Sequence, residues 1–271
     1  MKHSFDTTAL NAYRYWARQQ FSTFKSCVAY IESEDVSGDK SIGTCFHVGD
    51  GVFVTARHVV DGRKNFIIGF DNGVTPRSVF GISLGHEVMA GQIQIIDGPH
   101  FHNNREIDVA CFKVNCVPEV KVRLGGHLDD FMTNHEFLLY RVLIIGFPPI
   151  PLADRPVLVA TVGEVNAQVD LYVGKHPRFI VSSMARGGFS GGPALIAYDE
   201  LNADSGTAVL GLVTEALVSN ASSPEVGYLA VLTVEPIYEC LESAGYSISD
   251  QDSLMSLYME REAPDDPELD Y

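Results

Sequence analysis

Residues 186–193 read Arg186-Gly187-Gly188-Phe189-Ser190-Gly191-Gly192-Pro193, a serine flanked by glycines on both sides. Glycine lets a backbone turn sharply and brings main-chain amides close to a ligand. Ser190 is therefore a candidate nucleophile. The amides of Gly188 and Ser190 are candidate donors to the oxyanion that forms when a carbonyl carbon becomes tetrahedral. The plain alternative for this octapeptide is a glycine-rich turn with no chemistry. A free hydroxyl is a weak nucleophile at neutral pH and needs a base to take its proton. The chain has 9 histidines, and all of them precede Ser190, the last being His176.

That order separates the possibilities. Gly188-x-Ser190-x-Gly192 also fits the nucleophile elbow of α/β-hydrolases, but those need the histidine after the serine. The order Asp, His, Ser of subtilisins would set the histidine in an α/β layout, whereas His58 sits among strand-like runs. What remains is His, Asp, Ser. Thr55-Ala56-Arg57-His58 follows an apolar run, and Ile107-Asp108-Val109 heads another. His58 would accept the Ser190 proton and return it to the leaving amine. Asp108 would hold the imidazole in one tautomer and stabilise its charged form. Taken singly, His58 could be a barrel-edge histidine and Asp108 a carboxylate capping a strand. Their joint order with the serine motif favours the chemistry.

These three segments closely resemble the trypsin/chymotrypsin superfamily, in particular its bacterial Deg/HtrA-like trypsin-like peptidase domains. Ile145-Gly146-Phe147-Pro148, Thr161-Val162-Gly163 and Gly227-Tyr228-Leu229-Ala230 add to the likeness, which covers roughly residues 25–245. The resemblance implies two six-stranded antiparallel β-barrels and a serine endopeptidase acting on a protein or peptide substrate through an acyl-enzyme, with no cofactor. It also implies a primary specificity pocket. In the family the residue six before the nucleophile lies at its base, here Met184, and its walls fall at Thr214, Glu215, Ala216, Val226 and Gly227. These are mostly small or apolar, and strand alternation turns Glu215 away from the face shared by Thr214 and Ala216. The implied cleavage follows Val, Ala, Leu or Met. Three departures stand out. Val59 replaces the cysteine of the usual His-loop disulfide, leaving Cys45 without that partner. Phe189 replaces the aspartate of zymogens and the asparagine usual in Deg/HtrA enzymes. The PDZ domain usual in Deg/HtrA enzymes is not expected either, since Tyr271 follows too soon after the second barrel. A rival reading is a peptide-binding or partner-activated effector module with little intrinsic hydrolysis.

The elements that must position these residues are short and β-rich. Candidate strands lie at 27–31, 43–48, 52–55, 66–70, 79–84, 88–96 and 109–114. After a polar stretch near 125–135, a second set lies at 137–145, 157–165, 169–173, 179–182, 194–197, 209–213 and 227–232. Gly49-Asp50-Gly51 and Asp71-Asn72-Gly73 supply turn signals. Many short strands without intervening helices argue for an all-β sandwich or barrel. A helix capped by Asp6 carries Leu10, Tyr13, Trp16 and Ala17, and one capped by Thr233 carries Ile237, Tyr238 and Leu241 and stops at Gly245. The expected organisation is a helical extension at 1–24, barrels at 25–130 and 131–235, and a helix with an acidic tail at 236–271. Both extensions carry apolar stripes that offer docking faces to the barrels or to a regulatory protein partner.

A net charge of −16 argues against a nucleic-acid partner, because phosphate binding runs on clustered Lys and Arg. The longest apolar run, 137–147, is too short to cross a bilayer and is interrupted by Arg141. With no apolar leader after Met1 and 5 scattered cysteines, the reading is reduced thiols in a cytoplasm. His100 and His102 form a His-x-His pair before Asp108, but no neighbouring spacing completes a metal site, so none is expected. His47, His86, His127, His135 and His176 read as surface or loop residues.

Overall fold

The computed structural model describes residues 8–71, 93–126, 137–169, 176–197, 207–217 and 227–261. Runs rich in Val, Ile, Phe and Thr, which pack well on a pleated half-buried surface, become the strands. After helix α1 (Thr8–Phe24) come β1 (Val28–Glu34), β2 (Lys40–Gly49), β3 (Val52–Thr55), the one-turn α2 (Arg57–Val60), β4 (Lys64–Gly69), β5 (Ile95–Phe101) and β6 (Ala110–Val114). The strands pair antiparallel in the order β4-β1-β2-β3-β6-β5, and an antiparallel bridge links Ile68 of β4 to Ile93, just ahead of β5. The second half holds β7 (Arg141–Gly146), β8 (Val159–Val169), β9 (Arg178–Ser183), β10 (Pro193–Ala197), β11 (Thr207–Leu217) and β12 (Gly227–Leu232). These close into a barrel, β10-β11-β12-β9-β8-β7. Two six-stranded antiparallel sheets in barrel form are the chymotrypsin-like arrangement expected from the sequence.

Several elements differ in detail from expectation. Residues 137–139 form a turn, and β7 begins only at Arg141. Within this turn Phe137 is buried in the core of the second barrel, whereas Leu139 is exposed. Thr233 is not the cap of helix α3 (Glu235–Ser243). Val234 occupies that position without a side-chain bond, and Pro236, with its pre-set φ, opens the first turn. Gly245, at φ 76°, ends the helix as expected. The runs 79–84, 170–173 and most of 88–96, the Asp6 cap, most of the turn at 71–73, and the acidic tail from 262 lie outside the described residues.

The extensions are built into the fold. Trp16 and Ala17 of α1, Ile237, Tyr238, Cys240 and Leu241 of α3, and Leu254 and Leu257 of helix α4 (Leu254–Arg261) share one core with Phe46, Phe53 and Phe112 of the first sheet. Gln251, just before α4, serves three backbone groups. Its Nε2 donates to the carbonyls of Val48 (2.7 Å) and Val122 (2.8 Å), and its Oε1 accepts the Leu124 amide (3.0 Å). Among the described residues no helix is long and apolar enough to cross a membrane.

Candidate active site

The position of His58 follows from β3. That strand is buried along its length, Ala56 stays extended, and the chain then coils into α2, whose Val59 and Val60 are buried. Val59 packs so close to Gly43 that a Cβ there would lie 2.6 Å from its Cγ1. The ring of His58 is left 52% exposed. Asp108 sits between buried Ile107 and Val109 at the head of β6. Because Thr55 pairs with Ala110, the end of β3 and the start of β6 share one edge of the sheet. The two side chains meet there. Asp108 Oδ2 lies 2.7 Å from His58 Nδ1, and its Oδ1 accepts the His58 backbone amide at 2.9 Å. An ionised carboxylate only accepts, so the ring proton sits on Nδ1 and Nε2 keeps a free lone pair. This is the tautomer a general base needs.

Ser190 lies between two left-handed glycines, Gly188 (φ 91°) and Gly191 (φ 87°). Neither tolerates a side chain: a Cβ on Gly191 would fall 1.9 Å from the Thr44 carbonyl, and one on Gly188 2.5 Å from the Phe147 carbonyl. Phe189, whose ring is fully buried in the second barrel, anchors the loop from within. The Gly191 amide donates to Val213 O (2.7 Å) and the Gly192 amide to Phe189 O (2.8 Å). Among the described residues the amides of Gly188 and Ser190 have no protein acceptor. The Ser190 hydroxyl donates to the Thr214 carbonyl at 3.3 Å, long for an O–H···O bond, and none of the described hydrogen bonds joins it to His58.

Of the residues expected to line the pocket, the described ones fall on or beside β9, β11 and β12. Met184 follows β9 and is 42% exposed. Gly227 pairs with Ser183, and Val226 lies outside the described residues. Thr214 is buried, its hydroxyl donating to Ala230 O (3.3 Å), and Ala216 packs against the second core. A register shift between Val213 and Glu215 makes Thr214 a bulge. The Glu215 carboxylate is exposed and stands 4.0 Å from the Arg178 guanidinium.

Of the histidines read as surface or loop residues, His176 lies in a loop and is partly exposed, whereas His47 does not fit the reading. His47 is buried in β2, its Nδ1–H donating to Val120 O (2.8 Å) while Nε2 accepts the Gly51 amide (3.1 Å). Burial holds this imidazole below its usual pKa of 6.5. His176 lies 3.6 Å from Glu239 of α3, which also takes a 2.6 Å bond from His102 Nε2. His102 is buried, not solvated, while His100 Nε2 reaches Asp97 at 3.0 Å. The hydrogen bond from His102 keeps the Glu239 carboxyl below the ordinary range. His86, His127 and His135 lie outside the described residues. The ligand atoms of His102, His176 and Glu239 lie within 4.8 Å of one another, close enough to share an ion. However, His102 Nδ1 accepts the Asn104 amide (3.0 Å), so the ring proton is on Nε2, the atom an ion would need. The group is better described as a hydrogen-bonded clasp between the loop carrying Asp108 and α3. Its parts are too far apart in sequence for spacing to reveal it.

The cysteines Cys27, Cys45, Cys111, Cys116 and Cys240 are all free thiols. Burial raises the Cys116 thiol to about 11 and pushes Cys27 and Cys45 higher.

Two six-stranded antiparallel barrels are the architecture of the chymotrypsin-like fold. A profile of the trypsin-like peptidase domain matches residues 43–202. The chain belongs to the trypsin-like peptidase family, and with it to the serine endopeptidases. No curated protein matches the sequence. Among solved structures it is similar to the Rv3671c protease of M. tuberculosis in its active form, with 18% identity over 83% of this chain and 84% of that one and a TM-score of 0.56. It is also similar to the HtrA-type protease AlgW with a tripeptide (17% identity, 82% and 61% coverage, TM-score 0.56). A serine endoprotease from Yersinia pestis gives 14% identity, 84% and 66% coverage, and a TM-score of 0.53.

Proposed function

We propose that His58, Asp108 and Ser190 are the catalytic triad of this protease and that the Gly188 and Ser190 amides form its oxyanion hole. The observation that carries the reading is the two-point grip of Asp108 on His58, which leaves Nε2 as the free basic nitrogen. In this reading rotation about the Ser190 side chain gives up the long bond to Thr214 and frees the hydroxyl for His58. Ser190 Oγ then attacks the scissile carbonyl carbon as His58 Nε2 takes the proton, and the charged ring is stabilised by Asp108. The carbonyl electrons move to the oxygen, which the two free amides receive. On collapse the C–N bond breaks, the amine leaves with the His58 proton, and an acyl-serine remains. Water activated by the same nitrogen hydrolyses it.

The substrate is a protein or peptide, bound with its primary side chain against Met184, Thr214, Ala216, Val226 and Gly227. The Glu215 carboxylate, turned to Arg178, leaves this pocket neutral and suited to Val, Ala, Leu or Met. Five free thiols fit work in a reducing cytoplasm. A regulatory partner would engage what the extensions leave exposed, Tyr15 on α1 and Met255 and Met259 on α4. The Ser190–Thr214 bond also favours a second reading, in which the resting nucleophile stays turned away until a substrate or partner arrives. Labelling with a fluorophosphonate, with and without a peptide substrate analogue, tests both. Rapid labelling lost in Ser190→Ala supports the triad, labelling only with the analogue supports the second reading, and none under either condition overturns the assignment.

A further inference from the structure

Thr44 sits in β2, fully buried, where the first sheet meets the serine loop of the second barrel. Nothing in the sequence singles it out. Its backbone amide donates to the Ser190 carbonyl at 2.8 Å. Its hydroxyl donates to the Gly188 carbonyl at 2.6 Å and accepts the Phe147 amide at 3.0 Å. Its own carbonyl accepts the Thr55 hydroxyl at 2.7 Å, which holds β2 and β3 in place behind it.

These bonds fall on the two residues whose amides have no acceptor among the described residues. Fixing the carbonyl of a residue fixes its ψ, and glycine at positive φ has the most freedom to lose it. Gly188, at φ 91°, is such a residue, and the Thr44 hydroxyl is the partner its carbonyl has. The Phe189 carbonyl between them is taken by the Gly192 amide at 2.8 Å. All three carbonyls of 188–190 are thus tied down, two of them by Thr44. A hydroxyl is needed for this, because one atom must donate to a carbonyl and accept from an amide. Valine has the same shape and can do neither, leaving two buried backbone groups unsatisfied.

We infer that the Thr44 hydroxyl is a positioning residue for the oxyanion loop: it holds the Gly188 carbonyl so that the Gly188 and Ser190 amides stay aimed at one point. The inference rests on reading those amides as the oxyanion donors. It makes the loop's competence depend on the packing of one barrel against the other.

The test compares the wild-type chain with Thr44→Val, Thr44→Cys and Thr44→Ser, using Ser190→Ala as the blank. Turnover of a peptide with a neutral primary residue gives kcat and KM. Inhibition by the matching peptide aldehyde, which forms a tetrahedral adduct, reads the oxyanion hole itself. Thr44→Val should lower kcat and weaken the aldehyde by about 10- to 100-fold, short of the full loss of a donor, with KM little changed. Thr44→Ser should restore both, and Thr44→Cys, a poor donor of nearer volume, should not. The ranking follows hydrogen-bonding capacity rather than size, which a packing role would not produce. If Thr44→Val fails to fold, serine against cysteine decides alone. Thr44→Cys as active as wild type, or Thr44→Ser as impaired as Thr44→Val, overturns the inference. If wild type is no better than Ser190→Ala, the triad reading fails separately. Amide exchange then judges Thr44: the bonded Gly191 and Gly192 amides that close the serine loop should exchange about 10-fold faster in Thr44→Cys, and an unchanged rate sinks the idea.

Discussion

The base and the nucleophile are held in place by different means. His58 lies just past the end of β3 and Asp108 just before the start of β6, and the pairing of Thr55 with Ala110 brings their side chains together. Their contact is side chain to side chain and side chain to backbone. Ser190 is placed by main-chain geometry: two left-handed glycines, a buried Phe189, and bonds to Val213 on one side and Thr44 on the other. The base half is set by register within the first sheet. The nucleophile half sits at the seam and depends on both barrels. Register is robust, because a slip would turn a whole buried face outward. A loop at a seam is more exposed to perturbation from either side.

The largest effects should come from the reacting groups. Ser190→Ala or His58→Ala should each reduce turnover by up to about 10⁶-fold, as members of one unit do. Asp108→Asn should cost about 10⁴-fold, because its amide no longer selects the Nδ1–H tautomer. Steady-state rates with a neutral peptide measure these losses. Near-native turnover in His58→Ala would dissolve the distinction between the halves.

Next comes the seam. Gly191→Ala places a methyl 1.9 Å from the Thr44 carbonyl and should destabilise the fold by about 3 kcal/mol or more. A Cβ on Gly187 meets nothing within 4 Å, so Gly187→Ala should stay within about 0.5 kcal/mol of wild type. Urea denaturation of the pair shows whether strain is confined to the glycines that touch the first sheet.

The C-terminal extension tests the other half. Gln251→Ala removes three bonds to β2 and the 122–124 segment and should lower stability by about 2–3 kcal/mol. The folded fraction should keep its kcat, since Gln251 touches no reacting group. A fall in kcat at full folding would instead tie the base half to the extension.

A smaller effect concerns pH. Burial keeps His47 neutral below its usual 6.5 in the folded chain, while the unfolded chain takes up the proton there. Stability from this group is complete above 6.5 and is lost as pH falls toward the folded value. Melting curves between about pH 7 and pH 5 should show that decline, weakened in His47→Gln. The smallest expected effect is on specificity. Glu215→Ala should leave the preference for neutral residues unchanged in a peptide library, because its carboxylate faces Arg178. Dominant cleavage after Arg or Lys in the wild type would sink the Met184 pocket.

The sequence by itself determined much of the architecture and the family. Strand texture, turn glycines and the order of histidine, aspartate and serine motifs are local signals, and each survives folding because neighbouring residues create it. Helix ends and loop-borne apolar runs were less legible: helix α3 starts one residue later than a Thr233 cap would set it, and Phe137 is apolar because a turn, not a strand, carries it into the core. Only the tertiary structure decided that His47 and His102 are buried, that Gln251 ties the last segment to the first barrel, and that Thr44 grips the serine loop. Those are hydrogen bonds between groups 73 to 203 residues apart. No period or motif encodes such a bond, because it exists only where two separately formed surfaces bury a donor against an acceptor.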